Sequence, residues 1–176
     1  MTWDRADTHL IILYTAVLTL KPKVIVELGT GLGLATEVFS DACKVIGGKV
    51  YTIDKYPNSS QVIKAKERLK DRDNIIFVTG DSVEVGKNWN LSTDIVFCDS
   101  DHKFDHVLNE LEVWSKKAKI LFVHDIYDIH SRKEEVKMDP YFACEEFVRR
   151  HKEWIFIPIR GRDICSEGIG ILIKKN

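Results

Sequence analysis

Five short stretches of this sequence carry side chains whose types and spacing can do chemistry. In Glu27-Leu28-Gly29-Thr30-Gly31-Leu32-Gly33, three glycines alternate directly after the apolar run Val24–Leu28. Glycines there let the chain turn tightly and let a ligand approach main-chain N–H groups at the start of a following helix. Asp54 ends the next apolar run, about twenty residues further on, where a carboxylate can accept hydrogen bonds from both hydroxyls of a ribose. A nucleoside ligand is implied. In Thr79-Gly80-Asp81-Ser82, Asp81 either reaches an adenine amino group or caps the next helix, and the residues leave both readings open. Asp99-Ser100-Asp101-His102 and His124-Asp125 follow the fourth and fifth apolar runs. Neighbouring strands lie about 4.8 Å apart, so Asp99 and Asp125 can stand side by side and offer oxygens to one hard cation such as Mg²⁺. The alternative is that these acids only cap the segments after them.

The elements that must position these groups are legible as alternation. Short β-branched runs at Val24–Leu28, Val50–Ile53, Ile75–Val78, Ile95–Cys98, Ile120–Val123, Trp154–Ile157 and Ile169–Ile173 predict strands buried on both faces. Between them, Phe104, Val107, Leu108, Leu111 and Trp114 form one apolar helical stripe; Leu34, Val38, Phe39, Ala42 and Val45 form a second, and Val62, Ile63, Lys66 and Leu69 a weaker third. A leading helix is expected within residues 1–21, ending before Pro22. Strand and helix in this rhythm predict an α/β, Rossmann-like, doubly wound sheet with helices on both faces. The last two strands, joined only by a loop, can pair antiparallel. Residues 126–139, charged and without apolar period, are expected to be a lid loop or a plain solvated connection. In open parallel sheets, ligands bind outside the carboxyl ends of the strands, where the chain order reverses. All five stretches fall there.

Composition narrows the partners. A chain of 176 residues predicts one domain over 1–176, large enough for a core without disulfides. The formal charge of −1 gives no global field toward nucleic acid or anionic membrane. Basic clusters at Lys116-Lys117-Lys119, Arg149-Arg150-Lys152 and Arg160/Arg162 lack an aromatic strip, and the first two sit where helices end, a place that favours cations. Nucleic acid is therefore disfavoured as a partner. The four cysteines are widely spaced with no metal-type cluster, and the start of the chain shows no basic leader. A cytoplasmic protein acting on a small molecule is expected, with no membrane span and with a homo-oligomer left open.

The motif Glu27-x-Gly29-x-Gly31-x-Gly33, with Asp54 and Asp81 at the ends of the next two strands, resembles the cofactor site of class I methyltransferases dependent on S-adenosylmethionine (SAM). The resemblance runs over nearly the whole chain. A dinucleotide fold is the main competitor, but its GxGxxG fingerprint would need glycine or alanine at Leu34. The resemblance implies a seven-stranded sheet of order 3-2-1-4-5-7-6 with strand seven antiparallel. It assigns Glu27, Gly29, Thr30, Gly31 and Gly33 to the methionine part of SAM, and Asp54, Asp81 and Ser82 to its nucleoside. The pair Asp-x-Asp-His and His-Asp is similar to the metal-dependent small-molecule O-methyltransferases, nearest the branch of cephalosporin-hydroxylase-like proteins and macrolide sugar O-methyltransferases. That likeness makes Asp99, Asp125 and His124 the cation ligands and His102 the base, with Asp99 beside it. The sequence departs from the branch at His124, where an acid is usual; His124 ligates through a ring nitrogen or is a hydrogen-bonded strand-end residue.

The expected reaction is thus transfer of a methyl group from SAM to a small hydroxylated acceptor, with Mg²⁺ favouring the acceptor's deprotonated oxygen and His102 taking its proton. Two other readings share the fold. In one the enzyme is a metal-independent methyltransferase, or resembles an aminopropyltransferase in which Asp99 and Asp101 hold an amine. In the other it is a SAM-binding, non-catalytic subunit. His9, His106, His130 and His151 are expected at the surface.

Overall fold

The computed structural model describes residues 8–127, 138–160 and 168–175. Its elements in chain order are α1 (Thr8–Leu20), β1 (Val24–Leu28), α2 (Leu34–Ile46), β2 (Lys49–Asp54), α3 (Ser60–Leu69), β3 (Ile75–Thr79), α4 (Ser82–Lys87), β4 (Ile95–Cys98), α5 (Phe104–Trp114), β5 (Ile120–His124), α6 (Asp139–Arg150), β6 (Trp154–Ile159) and β7 (Ile169–Lys174). The strands form one sheet of order β3-β2-β1-β4-β5-β7-β6. β1 pairs in parallel with β2 and β4, and β4 with β5, while β7 runs antiparallel to both of its neighbours. The order reverses between β1 and β4. That crevice is where the fold puts a ligand.

Because successive strand residues face opposite ways, the central strands feed two cores. Val26, Leu28, Val96, Cys98, Leu121 and Val123 pack with Leu111 and Trp114 of α5 and Phe147 of α6. Ile25, Ile95, Phe97 and Phe122 pack on the other side with Leu13 and Val17 of α1 and Phe39 and Cys43 of α2. Burial on both faces, expected of every strand, holds for β1, β4 and β5 but not at the sheet's edges. β3 is only half-buried, and β6 exposes Ile155 and Ile157. An edge strand has a neighbour on one side only, so helices cover it less.

Helix stripes need similar trimming. The α5 stripe is buried from Val107 through Trp114, with Phe104 half-buried. In α2, Val38, Phe39 and Ala42 are buried, but Leu34 and Val45 are exposed at its two ends, and Ile63 of α3 faces solvent. α6 packs through Pro140, Ala143, Cys144 and Phe147. Trp114 also fixes the site from below: its indole N–H donates to the carbonyl of Ser82 at 3.1 Å, tying α5 to the first residue of α4.

Of the loop expected over 126–139, Ile126 is buried and Tyr127 stacks on Tyr141, while Asp139 begins α6. Residues 128–137, and with them the lid reading, lie outside the described residues. So do His130 and Cys165; Cys43, Cys98 and Cys144 are buried free thiols. No described helix is long and apolar enough to cross a membrane.

Candidate active site

The glycine turn sits where β1, β2 and β4 end together. Gly29 donates its N–H to the carbonyl of Ile53 (2.8 Å), and Asp99 donates to the carbonyl of Leu28 (2.8 Å), so the turn is bonded to the strand on each side. A Cβ on Gly29 would lie 2.1 Å from the carbonyl oxygen of Asp99, and the residue holds a φ of 96°. Only glycine fits. A Cβ on Gly31 would meet nothing within 4 Å, so that side of the turn is open to a ligand. Gly33, in a left-handed conformation, leads directly into α2. The hydroxyl of Thr30 is buried and bonded to that of Thr52 at 2.7 Å, which places it under the turn as a tie to β2.

Beside the turn lies an open cleft, lined among others by Gly29, Asp54, Asp81, Ser82, Asp101 and His106. Asp54 is held by accepting from the N–H of Tyr56 (2.7 Å) and, at longer range, of Gly31 (3.4 Å). Asp81 is the cap of α4 and also a lining residue of the cleft. One of its oxygens caps α4 by accepting from the N–H groups of Val83 and Glu84, and its side of the chain lines the cleft. Ser82, next to it, is buried at the cleft wall with its hydroxyl 3.2 Å from His106 Nε2.

On the other side of Asp101 the acids and histidines converge. His102 Nε2 lies 3.3 Å from Asp99 Oδ1 and 3.6 Å from Asp125 Oδ2. His124 Nδ1 lies 2.8 Å from Asp125 Oδ1 and 3.4 Å from Asp99 Oδ1. Asp125 is held there with a φ of 52°, left-handed and more readily tolerated by aspartate than by most residues. Asp99, His102 and Asp125 present ligand atoms within 4.8 Å of one another, a spacing that can hold a metal ion. The charges are strongly coupled. Burial alone would push His124 down, but hydrogen bonds to Asp125 and Asp99 outweigh it and hold its imidazolium up to about 11. Burial would raise Asp99, yet the hydrogen bonds from His102 and His124 bring it below its ordinary range. His102 is raised by its hydrogen bond to Asp99, against burial, with Asp125 adding to it.

The sequence model of a family described as a methyltransferase domain matches residues 26–126, from the first strand through the acid after the fifth. This chain belongs to the methyltransferase-domain family. Its sheet order, with strand seven antiparallel, is the one expected of class I SAM-dependent methyltransferases and places the chain among them. Solved structures share the fold. They include the O-methyltransferase TomG from Streptomyces achromogenes, involved in tomaymycin synthesis and solved with SAM (14% identity, TM-score 0.76, 98% of this chain and 82% of that one). Others are an O-methyltransferase from Bacillus cereus in complex with S-adenosylhomocysteine (SAH; 16%, 0.75, 97% and 82%) and a methyltransferase from Geobacter sulfurreducens (19%, 0.71, 98% and 80%).

In this methyltransferase Glu27 is the least expected environment. It is fully enclosed at the end of β1, beneath the turn, and accepts from the Thr36 hydroxyl at 2.5 Å. Burial raises it to about 8, with the hydrogen bonds from Thr36 and Thr52 opposing and the charge of Asp99 adding to the rise. Three histidines expected at the surface are not there. His9, on the stripe that buries Leu13 and Val17, is enclosed with its ring 5.3 Å from that of His124, edge to face. His151 is half-buried, 2.9 Å from Glu112 and packed on Phe147. His106 lines the cleft and bonds Ser82, Ser100 and the buried Glu110. Only one cue in the sequence marks it: histidine and glutamate four residues apart, on one face of a helix.

Proposed function

We propose that this methyltransferase moves a methyl group from SAM to a hydroxyl of a small acceptor, with His102 as the general base. The observation that carries this is adjacency. Asp99 and His102 flank Ser100 and Asp101, which line the cleft, so the acid and histidine cluster continues the cleft wall. Asp54, held by two main-chain N–H groups, fits a ribose, and the open side of Gly31 leaves room for close approach. Bound SAM supplies a methyl already activated on a sulfonium. The chain's own task is to align an acceptor oxygen with it and exclude water, which is mainly an orientation effect. With the Nε2 proton of His102 held by Asp99, Nδ1 is the nitrogen that takes the acceptor's proton. The acceptor is a small molecule, since the formal charge of −1 offers no field toward a polyanion.

SAM and SAH should raise the melting temperature in proportion to the logarithm of their concentration, and NAD should not, because only a ligand of the folded state stabilises it. Asp54→Ala should weaken SAH binding by roughly 1.5–3 kcal/mol, the range for hydrogen bonds to a charged acceptor. A response to NAD alone, or unchanged SAH affinity in that variant, would remove the reading.

Two carboxylates close enough to share one ion fit a divalent cation, which Asp99 and Asp125 would hold and which would favour the acceptor's deprotonated oxygen, with His102 beside it as the base. A cation-independent reading is supported by His124, whose Nδ1 already sets positive charge against both acids. The readings separate in calorimetry. If Mg²⁺ binds, Asp125→Asn should abolish its heat of binding, since the amide keeps the shape and loses the charge. If neither Mg²⁺ nor EDTA changes binding or turnover, the histidines alone supply the positive charge.

A further inference from the structure

We propose that His106 is a nucleoside-contacting residue of the cleft, held in place by Glu110, and that it sets cofactor affinity. The inference rests on the cleft being the SAM cleft. His106 stands on the first turn of α5 and lines the cleft together with Asp81, Ser82, Ser100 and Asp101. Its Nε2 lies 3.2 Å from Glu110 Oε1, 3.1 Å from the Ser100 hydroxyl and 3.2 Å from the Ser82 hydroxyl. Partners on its own helix, on the segment after β4 and at the start of α4 therefore fix the ring from three directions.

Glu110 makes this arrangement more than packing. It is fully buried on the face of α5 that otherwise holds Val107, Leu111 and Trp114. Its Oε1 accepts from the Ser100 hydroxyl at 2.6 Å and faces His106, while its Oε2 has no hydrogen-bond partner among the described residues. An enclosed carboxylate oxygen left unpaired is costly, and an apolar residue would pack this helix better. The carboxylate is explained if its work is to hold His106. With Nε2–H donated to Glu110, the ring face and Nδ1 remain for the cleft. A fixed imidazole offers a flat surface for a purine and one nitrogen for its edge. Glu110 also holds His106 above its ordinary ionisation against the effect of burial, with Asp101 and Asp81 facing it as further negative groups. Asp54, the ribose residue on the cofactor reading, lines the same cleft as His106, and His106 is held against Ser82 beside Asp81, so a base lying on the Asp81 side of the cleft meets the His106 ring.

The test uses the whole chain with two ligands, SAH and adenosine, so that no acceptor is needed. His106→Ala should raise the dissociation constants of both by the same factor, roughly 10-fold, as for the loss of one good hydrogen bond. Its melting temperature without ligand should stay near the parent value. Glu110→Gln should produce a smaller loss in the same direction and move the NMR titration of the His106 ring to lower pH. The ring resonances of His106 in the parent protein should shift on addition of adenosine. Parent-like affinity of folded His106→Ala for both ligands, or ring resonances unmoved at saturating adenosine, would overturn the proposal. If His106→Ala does not fold, His106→Asn carries the same expectation. Failure of the parent protein to bind SAH would instead overturn the cofactor reading.

Discussion

Replacing His102 with alanine should lower kcat by about 10²–10⁴-fold, the usual contribution of a positioned acid or base, while the dissociation constant of SAH stays near its parent value. The split follows from position. His102 is not among the residues lining the cleft proposed for the cofactor but follows Asp101, with its Nε2 near Asp99 and Asp125. Asp99 orients the ring and raises its ionisation above the ordinary 6.5. A base must be neutral to accept a proton, so kcat should climb as pH rises through that elevated value, and His102→Ala should lose the limb along with the rate. Asp99→Asn should lower the pH of the limb, since the amide removes the charge that favours the imidazolium. The measurement is a pH profile of kcat for the parent and both variants with any acceptor the parent turns over. Full turnover in His102→Ala at every pH would leave alignment alone as the mechanism.

How far the sequence carries such an argument depends on which contacts are local. The strands were legible because β-branched runs four to six residues long are unmistakable where both faces are buried, and acids just beyond them fall at the sheet edge by the geometry of the fold. Asp54, Asp99 and Asp125 needed nothing more. α6 was harder, for its buried stripe is Pro140, Ala143, Cys144 and Phe147, in which three of the four side chains are small. Its spacing is helical, but the apolar signal is weak. The stripe of α1 was hidden by a polar member: His9 stands one turn before Leu13, with Val17 a turn beyond, and is buried with them. His106 was missed for a different reason. Its partners come from α4, the β4–α5 segment and α5, brought together only when Trp114 docks on Ser82.

His124 shows how one residue changes the arithmetic of a site. Where the sequence resemblance leads one to expect an acid, this chain has an imidazole whose Nδ1 meets both Asp99 and Asp125. Two carboxylates facing two histidines form a cluster that can be neutral without any ion. A divalent cation entering it must displace protons, so its affinity should depend steeply on pH. The His9 ring packs edge to face on His124, which limits that imidazole's contact with water and strengthens its dependence on the two acids.

Glu27→Gln should stabilise the ligand-free protein at alkaline pH and leave it unchanged at acid pH. The carboxyl is raised from an ordinary 4.5 to about 8 because folding removes it from water. Between those values the folded chain binds more protons than the unfolded one, so stability falls as pH rises through the interval. Below pH 4.5 the group is protonated in both states and costs nothing. Above pH 8 folding must bury a charge, and at about 1.4 kcal/mol per pKa unit the whole gap amounts to several kcal/mol. Glutamine keeps the shape without the charge, so the difference in unfolding free energy between variant and parent should be near zero only well below pH 4.5. It should grow through neutrality and level off above pH 8, as read from urea denaturation at a series of pH values. A constant difference across the range would mean that Glu27 does not titrate as its burial requires. SAH should narrow the difference if its ammonium group lies over the turn, because a nearby positive charge lowers the pKa of Glu27 and offsets the cost of its ionisation. The glutamine variant should then bind SAH more weakly than the parent, and the loss should be larger at pH 8 than at pH 6.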